Sequence, residues 1–411
     1  MIVIRPVLSL VLAVWFLQLA GGMLSVVTPL GLAELGAGSS AVGLVAALHA
    51  AGFMAGAYFA PRIIGELGNI RVFAAAAALT AVGAISQGLW TSEIGWAAIR
   101  FLQGATFAAM FAAAEAWLGR VTAKEHRGSV LGVYNVAAKA ALLLGPLIIL
   151  SMAPLDPEIF LWCGLFLAAA LVPVCITRQQ EPKRVASGRL PLLRMLKISP
   201  SACAGVFIAG LVNSGTLALL PIYTSSLNAD VNALAIAGIA YSIANIGGLL
   251  SQWPAGRISD QMDRRNVVAA MAFVAALAAA ALWMLGNGIS STVMFVLLFV
   301  WGAGSLSFYG VCVAHGVDRV EDEDMTPMMS MLLIVWALGS VIGPLIAGLI
   351  MQTTLGASGL FAYAFGCLAL LTAIMLFRRF ERAPVPEEEQ IDWQPAMPAG
   401  IPGGDLDPRT D

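Results

Sequence analysis

Gly256-Arg257-Ile258-Ser259-Asp260-Gln261-Met262-Asp263-Arg264-Arg265 sets five charged side chains within ten residues, between two long apolar runs. The runs can bury themselves in hydrocarbon, but the turn cannot, because one ionised side chain at mid-bilayer costs roughly 2.5–3.5 kcal/mol on insertion scales. Such a turn marks a water-facing break between two membrane spans. The rest of the chain has a matching composition: 59% hydrophobic and 11% charged residues, with mean hydropathy +0.86. A chain of 411 residues with so little polar surface cannot clothe a soluble globule. No basic block with interleaved aromatics occurs, so nucleic acid is not an expected partner. Cys163, Cys175, Cys203, Cys312 and Cys367 all lie in apolar runs without a C-x-x-C pair, which reads as packing. Arg5 and the run behind it resemble the start of a signal peptide. The run continues to about Leu30, longer than an h-region, and predicts an uncleaved first span.

Working outward from the turn, segments of roughly 20 apolar residues recur with short polar breaks. They fall at 6–29, 41–61, 71–90, 95–118, 129–152, 158–177, 201–223, 233–256, 267–286, 290–314, 327–351 and 357–378. Isolated apolar runs of this length must satisfy their backbone groups internally, so all are predicted to be helices. Of the 22 Lys and Arg residues, all but Arg100 and Lys139 fall at the N-terminus, in every second loop or in the tail. The opposite loops carry only acids: Glu34, Glu93, Asp156, Glu158 and Asp230. By the positive-inside bias, both termini and the 256–265 turn are expected in the cytoplasm of a bacterial cell, with the chain in the inner membrane.

The loop 178–199, with Arg178, Lys183, Arg184, Arg189, Arg194 and Lys197 against Glu181, divides the spans into six and six. Residues 190–198 mix leucines with basic residues and predict a short interfacial helix, with attraction of the whole basic linker to anionic lipid as the plainer reading. Gly104 and Gly302 lie 198 residues apart, as do Gly145-Pro146 and Gly343-Pro344, which indicates two repeated halves. The expected architecture is therefore an all-α integral membrane protein of twelve spans. It comprises an N-terminal half 1–177, a basic linker 178–199, a C-terminal half 200–378 and a tail 379–411. The tail holds Glu387-Glu388-Glu389 and several prolines and is expected to be disordered.

The G-x-x-x-D-x-x-D-R-R pattern of residues 256–265 resembles the loop signature of the major facilitator superfamily. Arg100-Phe101-Leu102-Gln103-Gly104 is similar to its R-x-x-Q-G signature, and the duplicated halves agree. Glu115-Ala116-Trp117-Leu118 with Arg127-Gly128 further resembles the bacterial YcaD-like branch. The resemblance covers essentially residues 6–378. It implies a secondary transporter whose halves rock around a midplane cavity. One departure stands out: in the first-half counterpart of the turn, Pro61 lies near the place of the family acid.

Lys139 carries the most information among single residues. It lies 12 residues beyond Arg127, about 18 Å along the helix and near the bilayer midplane. Asn135 shares its face one turn earlier. A lysine there can counter an anionic solute, titrate, or pair with a carboxylate; snorkelling is disfavoured because the interface lies beyond its stem. Arg100 lies about 8 Å from the outer end of its span, either as an anchor near the cavity or as a clamp on carbonyls. With Gln103, His49, Gln18, Asn213 and Asn245 it completes the candidate substrate or coupling set, although each neutral polar residue taken alone is more often helix-to-helix glue. No carboxylate occupies the middle third of any span, which disfavours lipophilic cations and favours an anionic or neutral solute.

The resemblance also implies a cytoplasmic gate. Its expected members are Gly256, Asp260, Asp263, Arg264, Arg265 and Asp318, with Glu115 reaching toward Arg62 and Arg71. Asp260 is expected to meet a neighbouring helix N-terminus, and Arg264 and Arg265 to meet Asp318. Gly339-x-x-x-Gly343-Pro344 is similar to a signature that exporters carry in span five, but here span five keeps only Gly145-Pro146. There is no G-x-x-x-x-G-K-[ST], H-E-x-x-H or G-x-S-x-G, so no enzyme, cofactor or metal site is expected. The reading is a monomeric, proton-coupled transporter of a small organic solute. A multidrug exporter of the same family and a non-transporting sensor or scaffold on the same fold remain open.

Overall fold

In hydrocarbon a segment must pair its backbone N–H and C=O groups within itself, and each long apolar run is a helix in the computed structural model of the chain. The structure describes residues 4–122, 126–176, 197–227, 232–381, 390 and 393. Among these, 12 helical segments are long and apolar enough to cross a membrane. They run Val7–Glu34, Ser39–Leu67, Asn69–Leu89, Glu93–Gly119, Val130–Ile148, Pro157–Cys175, Pro200–Leu227, Ala233–Ser259, Arg264–Leu285, Ser291–Val317, Pro327–Met351 and Gly356–Glu381. They are numbered here as spans one to twelve. Each overlaps one predicted from sequence. The second continues past Pro61 to Leu67, because a proline forfeits a single helical hydrogen bond and need not end a helix whose flanks favour it.

Side-chain caps start several spans. Ser92, Asp156, Asn232, Asp263 and Ser290 each accept a backbone N–H at the start of the fourth, sixth, eighth, ninth and tenth spans. Two spans are broken. The sixth divides into Pro157–Ala169 and Leu171–Cys175, where Pro173 has no N–H to offer the carbonyl of Ala169. The tenth divides into Ser291–Ser305 and Phe308–Val317. At that break Ser307 bonds back to the carbonyl of Ala303, and the Ser251 hydroxyl reaches the same carbonyl at 2.7 Å.

The 198-residue repeat has a physical counterpart. A methyl on Gly104 would lie 2.0 Å from the carbonyl oxygen of His49, and one on Gly302 would lie 1.9 Å from that of Ala244. Span four thus presses on span two as span ten presses on span eight. Likewise, a methyl on Gly145 would meet the Leu19 carbonyl at 2.2 Å and one on Gly343 the Leu211 carbonyl at 2.1 Å. Spans one and five therefore pair as spans seven and eleven do. Gly339, whose Cβ would lie 2.2 Å from the Phe207 carbonyl, continues the second seam, so the Gly339–Gly343 spacing has a packing role here. Because the obstacle at Gly302 is backbone, Gly302→Ala is expected to cost toward the upper end of the roughly 1–3 kcal/mol typical of overpacking. Thermal unfolding of the purified variant checks this, and an unchanged midpoint would contradict it.

The described residues form two compact units, one within 4–37 and 48–176, the other within 38–47 and 197–393. Within the first, the fully buried Trp96 donates to the carbonyls of Gln87 and Trp90 and meets Phe160 edge-on. Within the second, Tyr223 donates to the Leu282 carbonyl, and Phe361 is packed by both Tyr223 and Trp301. The second unit also takes in the start of span two: Gln352 donates to the Ser40 hydroxyl at 2.6 Å. The predicted interfacial helix at 190–198 lies outside the described residues except for its last two, which are helical. The linker and most of the predicted disordered tail lie outside them as well.

Candidate functional site

An arginine inside an apolar span needs acceptors, and Arg100 finds them in its own unit. It is 9% exposed, and its Nη1 donates to Gln103 Oε1 at 3.2 Å, one turn along span four. Because a guanidinium only donates, that contact fixes the Gln103 amide, whose Nε2 then donates to Gln87 Oε1 of span three at 3.0 Å. The relay ends at Gln87 Nε2, a buried donor with no acceptor among the described residues. On the other side, His49 of span two lies 3.1 Å from the Arg100 carbonyl through Nδ1. A carbonyl only accepts, so Nδ1 carries a proton, which in the neutral imidazole leaves Nε2 as an acceptor. The close approach at Gly104 is what brings His49 there. His49, Arg100 and Gln103 are therefore one network that ends at Gln87, a residue that the sequence shows only as one more midspan amide.

Lys139 and Asn135 are half-buried on span five, and Gln18 is buried on span one. In the second unit the neutral candidates are engaged in packing. Asn213 and Ser305 exchange hydrogen bonds, Nδ2 to the Ser305 carbonyl at 3.0 Å and Ser305 Oγ to Oδ1 at 2.6 Å, tying span seven to the break in span ten. Asn245 donates to the Tyr241 carbonyl of its own helix. These bonds are the helix-to-helix and within-helix contacts that a neutral amide makes in a span. Small hydroxyls such as Ser305, Ser307 and Ser251 give no sign of such pairing in a sequence.

The charged turn is tightly paired. Arg264 is 1% exposed, and its Nε donates to Asp318 Oδ2 at 2.6 Å, its Nη2 to Asp318 Oδ1 at 3.4 Å, and its Nη1 to Asp260 Oδ1 and Ser259 Oγ at 2.9 Å each. Arg265 forks onto Asp263 and donates through Nη1 to the carbonyl of Arg378 at 2.8 Å, satisfying an end carbonyl of span twelve. Asp260 departs from expectation: it caps the C-terminus of span eight, while Asp263 occupies the helix N-terminus of span nine. Burial would raise the pKa of Asp263, but the hydrogen bonds and charge of Arg265 outweigh it and hold the carboxyl below its ordinary value.

The arrangement is that of a scaffold with fixed positive charge in one six-span unit and a braced charged turn in the other. The family model described as Major Facilitator Superfamily matches residues 10–322 and 202–401. The chain belongs to this superfamily. Among curated relatives, an uncharacterized MFS-type transporter of Enterobacter sp. (strain 638) is 28% identical over 386 residues, covering 93% of this chain and 98% of the relative. The uncharacterized MFS-type transporter YcaD of Salmonella typhi is 26% identical over 384 residues, with the same coverage of 93% and 98%. The YcaD-like resemblance of Glu115-Ala116-Trp117-Leu118 thus agrees with the overall similarity.

Solved MFS structures share the fold. The nucleoside transporter NupG matches with TM-score 0.75 at 14% identity, covering 92% of this chain and 100% of that one. A bacterial homolog of the human lysosomal transporter Spinster, inward-facing and unoccupied, matches with TM-score 0.73 at 14% identity, covering 95% and 98%. In this MFS chain the first-half counterpart of the turn is not braced like the second. Arg62 and Arg71 are exposed and hold no ion pair among the described residues, so neither is joined to the buried Glu115.

Proposed function

We propose that the protein is a secondary active transporter that moves a small organic solute, anionic or neutral, across the bacterial inner membrane by alternating access, driven by protons. The observation that carries this reading is the sign of its deep charge. Arg100 and Lys139 lie within the spans of an MFS chain, and no carboxylate occupies the middle third of any described span. In low dielectric, positive charge within the spans favours an anion or a strongly polar neutral group over a second cation. Lys139 and Asn135 serve as solute contacts, with Arg100, Gln103 and His49 as a second polar group within the spans. The 256–265 turn works as a cytoplasmic gate element, a placement supported by the distribution of Lys and Arg.

A thermal-shift screen of the purified full chain against metabolites and antimicrobials tests the substrate class. Stabilisation by anionic or neutral metabolites is the expected outcome, since a ligand of the folded state raises the unfolding midpoint by mass action. Hits confined to lipophilic cations would overturn the reading and point to a multidrug exporter.

A further inference from the structure

The C-terminal tail, read from sequence as disordered, has one described residue seated against the charged turn. The Trp393 backbone N–H donates to Asp260 Oδ1 at 3.0 Å, the same oxygen that takes Arg264 Nη1 at 2.9 Å. Its indole lies against two glycines of different spans, Gly256 of span eight and Gly310 of span ten. A methyl on Gly256 would come 2.2 Å from Trp393 Cδ2, and one on Gly310 would come 3.2 Å from its Nε1. Any side chain at Gly256 would fill the space the ring occupies. The indole N–H is buried with no acceptor among the described residues, and the contacts described for the seat are its shape and the backbone bond to Asp260.

Reach agrees with this occupant. Trp393 follows the last helical residue, Glu381, by 12 positions, enough for a chain spanning up to about 40 Å. The sequence around it is acidic, with Glu387, Glu388, Glu389 and Asp392; near the turn Arg264 and Arg265 are already paired with Asp260, Asp263 and Asp318, so the seat at Asp260 uses the backbone N–H of Trp393 and not the charge of the tail. A tether of this length also keeps the tail at high effective concentration near the slot.

We propose that the slot framed by Gly256 and Gly310, with Asp260 as the backbone acceptor at its rim, is a receptor for the chain's own tail at Trp393, and that docking of the tail restrains the 256–265 turn. The tail is then a tethered ligand that must leave before any other element can close on the face of Gly256. This inference does not depend on which solute is carried, and its readout is independent of transport.

The test is hydrogen–deuterium exchange across residues 256–265 in the full-length protein in nanodiscs, compared with Trp393→Ala, Gly256→Ala, the double variant and a chain ending at Glu389. Trp393→Ala and the truncation touch only the tail, so the spans fold as before. Each single variant is expected to speed exchange in the turn several-fold, and the double variant no further, because both remove one contact. A synthetic peptide of residues 387–397 should restore protection to the truncated chain and not to Gly256→Ala. Unchanged exchange in Trp393→Ala and in the truncated chain, additive effects in the double variant, or failure of the peptide to protect would each overturn the proposal.

Discussion

Replacing Arg264 with methionine is expected to destabilise the second unit by about 3–5 kcal/mol, the usual effect of removing one member of a buried ion pair. Arg264 and Asp318 are 1% and 2% exposed, and the guanidinium meets both carboxylate oxygens while also bonding Asp260 and Ser259. Methionine keeps most of the volume and strips Asp318 of its two-pronged partner. Lysine at the same position keeps the charge but not the fork, so Arg264→Lys should recover only part of the loss. Arg264→Met combined with Asp318→Leu should recover most of it, because a buried pair replaced by apolar groups is often neutral in stability. Unfolding midpoints of the three purified variants decide this. A loss of under about 1 kcal/mol for Arg264→Met would place the pair among ordinary surface salt bridges.

The second large effect concerns Lys139. Its replacement by methionine is expected to weaken solute binding by about 1.5–3 kcal/mol, the worth of a hydrogen bond to a charged group, or roughly 10- to 150-fold in affinity. Stability should be unchanged or improved, because an ammonium is being removed from an apolar span. Binding of the thermal-shift hit and the unfolding midpoint of the unliganded variant separate the two effects. A variant that binds like wild type would exclude Lys139 from the site. One that fails to fold would make the residue structural.

The number and places of the spans were legible because an apolar run of this length has one stable form in a bilayer, so composition alone decides it. The repeat was legible through Gly104 with Gly302 and Gly145 with Gly343, since only glycine allows those helix crossings. The partners around the charged turn were not. Successive residues on a helix point about 100° apart, so Arg264 and Arg265 leave the helix in different directions, and a sequence does not state that Arg264 forks onto Asp318 while Arg265 forks onto Asp263. The same rotation places Asp263, and not Asp260, at the helix N-terminus. The break in span ten and the pairing of Asn213 with Ser305 rest on short hydroxyl side chains that look like filler in an apolar run. Trp393 was missed for the opposite reason: its acidic, proline-containing surroundings cannot build a core, and its seat is supplied by glycines more than 80 positions away in sequence.

Proton-driven movement of solute through this chain is tested most directly by uptake into proteoliposomes. Protein reconstituted in one orientation would be given the anionic or neutral compound that stabilises it, with and without an imposed pH gradient. Accumulation above equilibrium with the gradient, its collapse when the gradient is dissipated, and background uptake by Lys139→Met are the predicted results. A bound compound that never crosses the membrane, with or without the gradient, would contradict transport and leave a sensor or scaffold on the MFS fold.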